Sequence, residues 1–130
     1  KLSYTEANRQ IIHFSKKEQY SADTLSSLLD NTVNFHLIKP TGNLEELLYN
    51  INACDVFCSG STGPLHIAGA LNKRTIAFYP RKKSSSQLRW RTINDFNNRI
   101  EFSDIGGDRK NISINTKKVL LEIQKFLNFS

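Results

Sequence analysis

The feature that most constrains the fold lies in the middle of the chain, where two short apolar runs flank a turn and a helix-like stretch. Residues 55–59 (Asp-Val-Phe-Cys-Ser) and 75–79 (Thr-Ile-Ala-Phe-Tyr) have the length and composition of strands. Between them, a Gly-Ser-Thr-Gly-Pro turn at 60–64 leads into a predicted helix over 65–71. Pro64 suits the first helical turn, because its missing amide hydrogen is not needed there. A strand, a helix and a second strand in this order predict a parallel pair of strands.

The same alternation of strands and helices extends to both sides of this segment. Further strands are predicted over 10–15, 34–39 and, at an edge, 99–103, and further helices over 21–30, 43–51 and 115–127. Residues 81–98 are polar and basic and are interpreted as a long loop. The sequence therefore predicts an α/β domain with a Rossmann-like parallel sheet of about five strands and helices on both faces.

Two of the predicted helices carry apolar residues at helical spacing, which predicts their buried faces. The first such face comprises Leu44, Leu47, Leu48 and Ile51, and the last helix has Val119, Leu120, Ile123, Phe126 and Leu127. We expect both helices to pack through these residues.

Length and composition limit the class of protein. A chain of 130 residues is the size of one domain, and no run approaches the ~18–20 apolar residues of a membrane helix. An apolar content of 38% with 23% charged residues excludes disordered, collagen-like and coiled-coil classes. The chain starts at Lys1 and contains no Met, so we expect residues 1–130 to be a single domain of a longer protein.

The charge balance favours anionic partners. The net charge is +6 and the isoelectric point is near 9.5, which suits phosphates and nucleotides. The basic residues are scattered except for one cluster, which comprises Arg81, Lys82, Lys83, Arg89 and Arg91. Because the chain has neither a dense basic stripe nor a known nucleic-acid motif, we expect no nucleic-acid partner.

The two cysteines, Cys54 and Cys58, are predicted to be unpaired. In a strand, four residues span about 13 Å, whereas a disulfide needs Cα atoms within ~7 Å. No other residues add a metal-ligand cluster with zinc spacing, so no metal is expected. Two unpaired, buried thiols indicate a reducing compartment and therefore a cytoplasmic location.

A ligand site is expected at the carboxyl ends of the strands, as in other open parallel α/β sheets. The loop from Gly60 to Gly63 precedes a helix, whose N-terminal amides favour an anion. Ser61 and Thr62 add hydroxyl groups, the glycines let the backbone approach closely, and His66 lies in the first helical turn. The basic loop that begins at Arg81 is expected at the same edge, where it could add charge to a diphosphate.

Each of these features also has a purely structural interpretation. Ser61 or Thr62 could only cap the helix, His66 could be a surface residue, and the basic loop a solvated face. Trp90 could stack on a base or plug the loop against the core. His13, His36 and the Glu45–Glu46 pair are interpreted as structural, the carboxylates through the helix dipole.

A longer pattern, residues 43–80, resembles glycosyltransferase family 9, the ADP-heptose:lipopolysaccharide heptosyltransferases and their relatives. The residues that carry the resemblance are Asn43-Leu-Glu-Glu-Leu47, Cys54-Asp-Val-Phe-Cys-Ser59, Ser61-Thr-Gly-Pro-Leu-His-Ile-Ala-Gly-Ala-Leu71 and Thr75-Ile-Ala-Phe-Tyr-Pro80. The likeness covers about residues 11–129 and corresponds to the C-terminal, donor-binding half of such an enzyme.

The resemblance implies a GT-B fold, in which two Rossmann-like domains face a cleft and the C-terminal one holds the nucleotide-sugar donor. The donor diphosphate is then bound by Ser61, Thr62, Gly63 and His66, with Gly60, Glu18, Arg81 and Lys82 as further donor-binding candidates. Family members often have Asp at the position of Ser61. Because this chain departs from that pattern, the identity of the transferred sugar stays open. Glu18 is the counterpart of an acid that contacts the donor ribose.

The resemblance further implies an inverting sugar transfer without a metal or cofactor. The donor would be a nucleotide-diphosphate sugar such as ADP-heptose, and the acceptor a lipopolysaccharide core or related glycan. The full-length enzyme would be cytoplasmic, or peripheral at the inner membrane of a Gram-negative bacterium. The general base is expected in the N-terminal domain, so no catalytic residue is named and the isolated chain is expected to be inactive. The alternative is a non-catalytic Rossmann-like module that binds a nucleotide or a partner protein.

Overall fold

The computed structural model describes residues 10–13, 35–38, 42–81, 86–106 and 112–128. They belong to two compact units that divide between Leu44 and Glu45. The first unit contains two short parallel strands, β1 (Gln10–His13) and β2 (Phe35–Ile38). Both strands were predicted, whereas the predicted helix over 21–30 lies outside the described residues. A single domain over residues 1–130 stays a prediction.

The second unit contains a three-stranded parallel sheet in the order β3-β4-β5. Its elements are α1 (Leu44–Ala53), β3 (Val56–Gly60), α2 (Gly63–Ala70), β4 (Arg74–Tyr79), α3 (Gln87–Trp90), a 3-10 helix (Phe96–Asn98), β5 (Arg99–Ser103) and α4 (Thr116–Asn128). The predicted strands and helices of this unit are confirmed to within two residues at each end. Within the described part of the chain, no helix has the length and hydropathy needed to cross a membrane.

Side chains that alternate along β4 pack against helices on the two faces of the sheet. Ala77 and Tyr79 form a buried cluster with Leu65 of α2. Ile76, which points the opposite way, packs with residues of β5 and with Val119 of α4. The sheet is therefore covered on both faces, and the predicted α/β, Rossmann-like fold class is confirmed.

The predicted buried face of α4 is partly wrong. Val119, Ile123 and Phe126 pack on the sheet, but Leu120 is 55% exposed and Leu127 is 38% exposed. The reason is helix geometry, since Leu120 is rotated by about 100° from Val119 and the three packed residues already fill the stripe that meets a narrow sheet. The predicted buried face of α1 is also partly wrong. Ile51 is buried, whereas Leu44 and Leu48 are exposed.

The predicted long loop over 81–98 is also partly wrong, because it contains α3 and the 3-10 helix. The buried side chain of Asn94 explains why this segment has a defined structure. The side-chain nitrogen Nδ2 of Asn94 lies 2.9 Å from Lys73 O, Thr75 Oγ1 and Asn98 O. Thr92 Oγ1 donates to Asn94 Oδ1 at 2.6 Å. Hydrogen bonds rather than apolar contacts therefore fix the segment, and a hydropathy pattern does not reveal them.

Both cysteines are unpaired, as predicted, but the expected burial is wrong for one of them. Cys58 is exposed on β3, and Cys54 is half-buried, with its thiol donating to Ile51 O at 3.0 Å. Burial raises the pKa of the Cys54 thiol, an effect that the charge of Lys73 opposes. Cys58 lies on β3, an outer strand of the three-stranded sheet, and partial burial of its thiol raises the pKa of that group.

Candidate functional site

The loops after β3 and β4 leave the same edge of the sheet. In the parallel register, Gly60 at the end of β3 pairs with Phe78, one residue before the end of β4. The prediction that the turn at 60–63 and the segment from Arg81 open on one edge is therefore confirmed. This edge is where open parallel sheets bind their ligands.

The start of α2 lacks the side-chain cap that its sequence suggests. Thr62 occupies the N-cap position with extended backbone (φ −136°, ψ 166°) but makes no capping hydrogen bond. Instead, Thr62 Oγ1 lies 3.0 Å from Ser59 Oγ, and Ser59 donates to Gly60 O at 2.9 Å. The interpretation of Thr62 as a simple helix cap is therefore wrong. The first-turn amides of Gly63 and Leu65 are not engaged by the Thr62 side chain and retain the capacity to bind an anion.

The glycines of this loop are not required by the packing of the protein. A β-carbon on Gly63 would meet no atom within 4 Å, and on Gly60 it would make an ordinary 3.9 Å contact with Phe78 O. Among the described glycines, a positive φ occurs at Gly42 and Gly106 but not in this loop. The space beside Gly63 is open, which leaves room for a ligand to approach the backbone.

His66 contacts the aromatic ring of Trp90. The two ring centroids are 6.1 Å apart with an interplanar angle of 66°, an edge-to-face arrangement. The indole is 43% exposed, so Trp90 is not a plug buried in the core. The structure therefore brings the turn after β3, the first turn of α2 and the end of α3 together at the candidate site.

Tyr79 fixes the backbone at Trp90. Its hydroxyl donates to Trp90 O at 3.0 Å, and the residue is fully buried at the end of β4. Burial raises the pKa of the Tyr79 hydroxyl, with a further increase from Glu101. The phenol therefore keeps its proton and remains a hydrogen-bond donor at neutral pH.

One arginine of the basic cluster is engaged in an ion pair. Arg91 Nε lies 2.9 Å and 3.1 Å from the two carboxylate oxygens of Glu101, and Arg99 Nε lies 3.4 Å from one of them. The Glu101 side chain is only 9% exposed. The Nε of Arg91 is therefore engaged by Glu101, a carboxylate that Arg91 shares with Arg99, so its contacts do not support the expectation that this arginine binds a diphosphate.

Arg81 lies at the predicted edge but faces the residues that follow β5. A β-carbon on Gly106 would stand 2.6 Å from Arg81 Nη1, so the guanidinium packs against this glycine. Asp104 accepts hydrogen bonds from the amides of Gly106 and Ser113, which lower the pKa of its carboxyl, and Arg81 lowers it further. Arg81 as a donor-binding residue stays a prediction, and Glu18 and Lys82 lie outside the described residues.

The anchor provided by Tyr79 and the contact of Trp90 with His66 were not predicted. The sequence does contain a signal, because Tyr79 ends a strand on the same face as Ala77, where a long polar side chain reaches the adjoining loop. The position of Trp90 depends on the path of the segment between β4 and β5, which the sequence pattern does not define.

This sheet, with helices on both faces and a glycine-containing loop at its carboxyl edge, defines a Rossmann-like α/β domain. The family model of glycosyltransferase family 9 (heptosyltransferase) matches residues 2–114. The chain belongs to glycosyltransferase family 9.

Two relatives show how much of a family member this chain represents. It is 33% identical over 113 residues to a protein of Haemophilus influenzae named "Putative glycosyltransferase", covering 85% of this chain and 32% of that protein. It also resembles the crystal structure of the glycosyl transferase family 9 from Veillonella parvula, with a TM-score of 0.69 and 11% identity. That likeness covers 94% of this chain and 37% of the other. The chain therefore spans about a third of the length of both relatives.

Proposed function

We propose that this chain belongs to the C-terminal, donor-binding domain of a glycosyltransferase and that the loop at 60–66 binds the diphosphate of a nucleotide sugar. The observation that carries the proposal is the start of α2, where Thr62 leaves the first-turn amides without a side-chain cap. Membership of glycosyltransferase family 9 supports a nucleotide sugar as the anion.

The geometry supports a mainly electrostatic role in sugar transfer. The amides of Gly63 and Leu65 and the hydroxyl of Ser61 would hold the diphosphate, and His66 would donate a hydrogen bond from the same turn. Thr62, whose hydroxyl contacts Ser59, would position the loop. As an acceptor hydroxyl attacks the anomeric carbon, charge develops on the departing diphosphate. Preorganised donors that face this charge lower the barrier. The general base would be supplied by another domain of the longer protein.

We extend the proposal to the finer properties that the family resemblance implies. The reaction is inverting and requires neither metal nor cofactor, and the donor is a heptose-type nucleotide sugar such as ADP-heptose. The acceptor is a lipopolysaccharide core or a related glycan, bound by another domain of the longer protein. The full-length protein works in the cytoplasm, with peripheral contact to the inner membrane.

Calorimetric titration with ADP, UDP and GDP, each compared with its monophosphate, tests the proposal. We expect one diphosphate to bind more tightly than its monophosphate, and His66→Ala to lower that affinity about tenfold, or roughly 1.4 kcal/mol. The matched control is Asn97→Ala, an exposed residue of the 3-10 helix. Equal binding of mono- and diphosphates, or unchanged affinity in His66→Ala, would contradict the assignment.

A transfer assay separates the enzyme from the non-catalytic binding module. The longer protein that contains this chain should transfer sugar from the nucleotide sugar whose nucleotide binds best, whereas residues 1–130 alone should not. Binding without transfer by the longer protein would instead favour the module. Measurable transfer by the isolated chain would contradict the proposal that another domain supplies the general base.

A further inference from the structure

We infer that Trp90 is a positioning residue for His66 and sets the direction in which the imidazole faces the ligand at the start of α2. The inference rests on the proposed function of the loop at 60–66. Its structural basis is the edge-to-face contact between the two rings, with centroids 6.1 Å apart. Such a contact favours particular ring orientations, because the electron-rich face of one ring attracts the positive edge of the other.

The position of Trp90 is determined by the sheet and not by its own helix. α3 has only four residues, which is too short to be stable on its own. The hydroxyl of buried Tyr79 bonds to Trp90 O at 3.0 Å. The next residue, Arg91, pairs with Glu101 of β5 at 2.9 Å. The backbone at Trp90 is thus tied to both β4 and β5.

His66 needs such an external contact. It lies in the first turn of α2 and is only half-buried, so the core does not select its side-chain conformation. The indole of Trp90 is the ring that His66 contacts, and the backbone that carries this indole is anchored by the Tyr79 hydroxyl.

A double-mutant cycle tests whether Trp90 acts through His66. The affinity is measured for whichever of ADP, UDP and GDP binds the wild type most tightly. We expect Trp90→Ala to weaken binding about two- to tenfold, the range that an aromatic pair supplies, and Trp90→Phe to restore most of it. In the His66→Ala background, Trp90→Ala should cause no further loss. The control is Ile93→Ala, which truncates an apolar side chain that is 80% exposed.

A second readout reports the contact independently of binding. The ring current of Trp90 shifts the His66 carbon-bound proton resonances, so these should move toward their ordinary values in Trp90→Ala. Tyr79→Phe keeps the buried ring but removes the hydroxyl anchor, and should move the same resonances. It also keeps the test usable if Trp90→Ala does not fold.

The outcomes distinguish this inference from the proposed function. If the wild type binds none of the three diphosphates, the proposed function fails and the inference fails with it. If the wild type binds but Trp90→Ala has unchanged affinity, or if its loss adds fully to that of His66→Ala, only the inference is overturned. Full additivity would mean that Trp90 affects binding independently of His66.

Discussion

Gly69 of α2 packs directly against Thr92, with no side chain between the helix and the segment that follows α3. A β-carbon on Gly69 would lie 2.7 Å from Thr92 Cβ and 3.2 Å from Thr92 Cγ2. Both residues are buried, and Thr92 is held by its hydrogen bond to Asn94 Oδ1. The close approach of these two elements therefore depends on glycine at position 69.

Gly69→Ala should destabilise the protein although alanine is the better helix former. A β-carbon 2.7 Å from Thr92 Cβ should cost about 2–3 kcal/mol, the upper part of the range for overpacking, and the helical preference of alanine returns about 1 kcal/mol. We therefore expect a net loss of about 1–2 kcal/mol. Urea unfolding measures this loss. Gly63→Ala in the same helix is the control, because its β-carbon meets no atom within 4 Å and should leave the stability unchanged or higher. A Gly69→Ala protein as stable as the wild type would refute the close contact.

Asn94→Ala should be among the most destabilising substitutions of a polar residue in the described part of the chain. It removes the donor that serves Lys73 O, Thr75 Oγ1 and Asn98 O, and it leaves buried acceptors without a partner. We expect a loss of about 2–3 kcal/mol in the free energy of unfolding. Asn97→Ala, at an exposed position of the 3-10 helix, should change it by less than about 0.5 kcal/mol. Similar losses for the two variants would contradict the role given to Asn94.

The two residues of the Arg91–Glu101 ion pair should contribute unequally to the free energy of unfolding. Glu101 is 9% exposed and faces two arginines, so Glu101→Gln should lower the free energy of unfolding by roughly 1–3 kcal/mol. The Arg91 side chain is 43% exposed, so Arg91→Ala should lower it by less than about 1 kcal/mol. Thermal unfolding of both variants measures which one is less stable. A larger loss of stability in Arg91→Ala than in Glu101→Gln would contradict this prediction.

Asp104 should make the stability dependent on acid pH. Amide hydrogen bonds from Gly106 and Ser113 hold the pKa of its carboxyl below the ordinary value of 3.8. Because the folded-state pKa is the lower one, the stabilisation is present above 3.8 and is lost as the pH falls through the folded-state pKa. Asp104→Asn should therefore be less stable than the wild type at pH 7, and the difference should shrink toward pH 2.

Melting temperatures between pH 2 and pH 7 measure this difference. Asp55→Asn is the control, since Asp55 is an exposed carboxylate in the turn before β3. A difference between Asp104→Asn and the wild type that stays constant over this range would contradict the assignment.

Much of the fold was predictable because it follows from hydropathy and chain order. β4 alternates between side chains for α2 and side chains for α4, and β5 has the predicted bounds, 99–103. The edge of the sheet that carries the candidate site was predictable from the same topology, since parallel strands joined by helices have their carboxyl ends at one edge. The sequence pattern alone therefore places residues 60–66 at this edge.

The remaining features depend on contacts that a linear pattern does not record. Asn94 organises a polar segment through hydrogen bonds, and polar segments resemble loops in a hydropathy pattern. The meeting of Trp90 with His66 depends on the path between β4 and β5. Leu120 fits the helical period of α4 but is exposed, because the sheet that α4 covers is narrow.

The measurement that tests the central claim most directly is a map of backbone amide shifts in the labelled chain titrated with ADP, UDP and GDP. We predict that one diphosphate shifts amides in residues 60–66 and near Trp90, and that His66→Ala weakens the response. Shifts confined to another surface would contradict the assignment of the donor site. One such surface is the groove between β5 and α4, lined by Ile105, Ile114 and Lys118. The absence of shifts with all three nucleotides would likewise contradict binding by this chain.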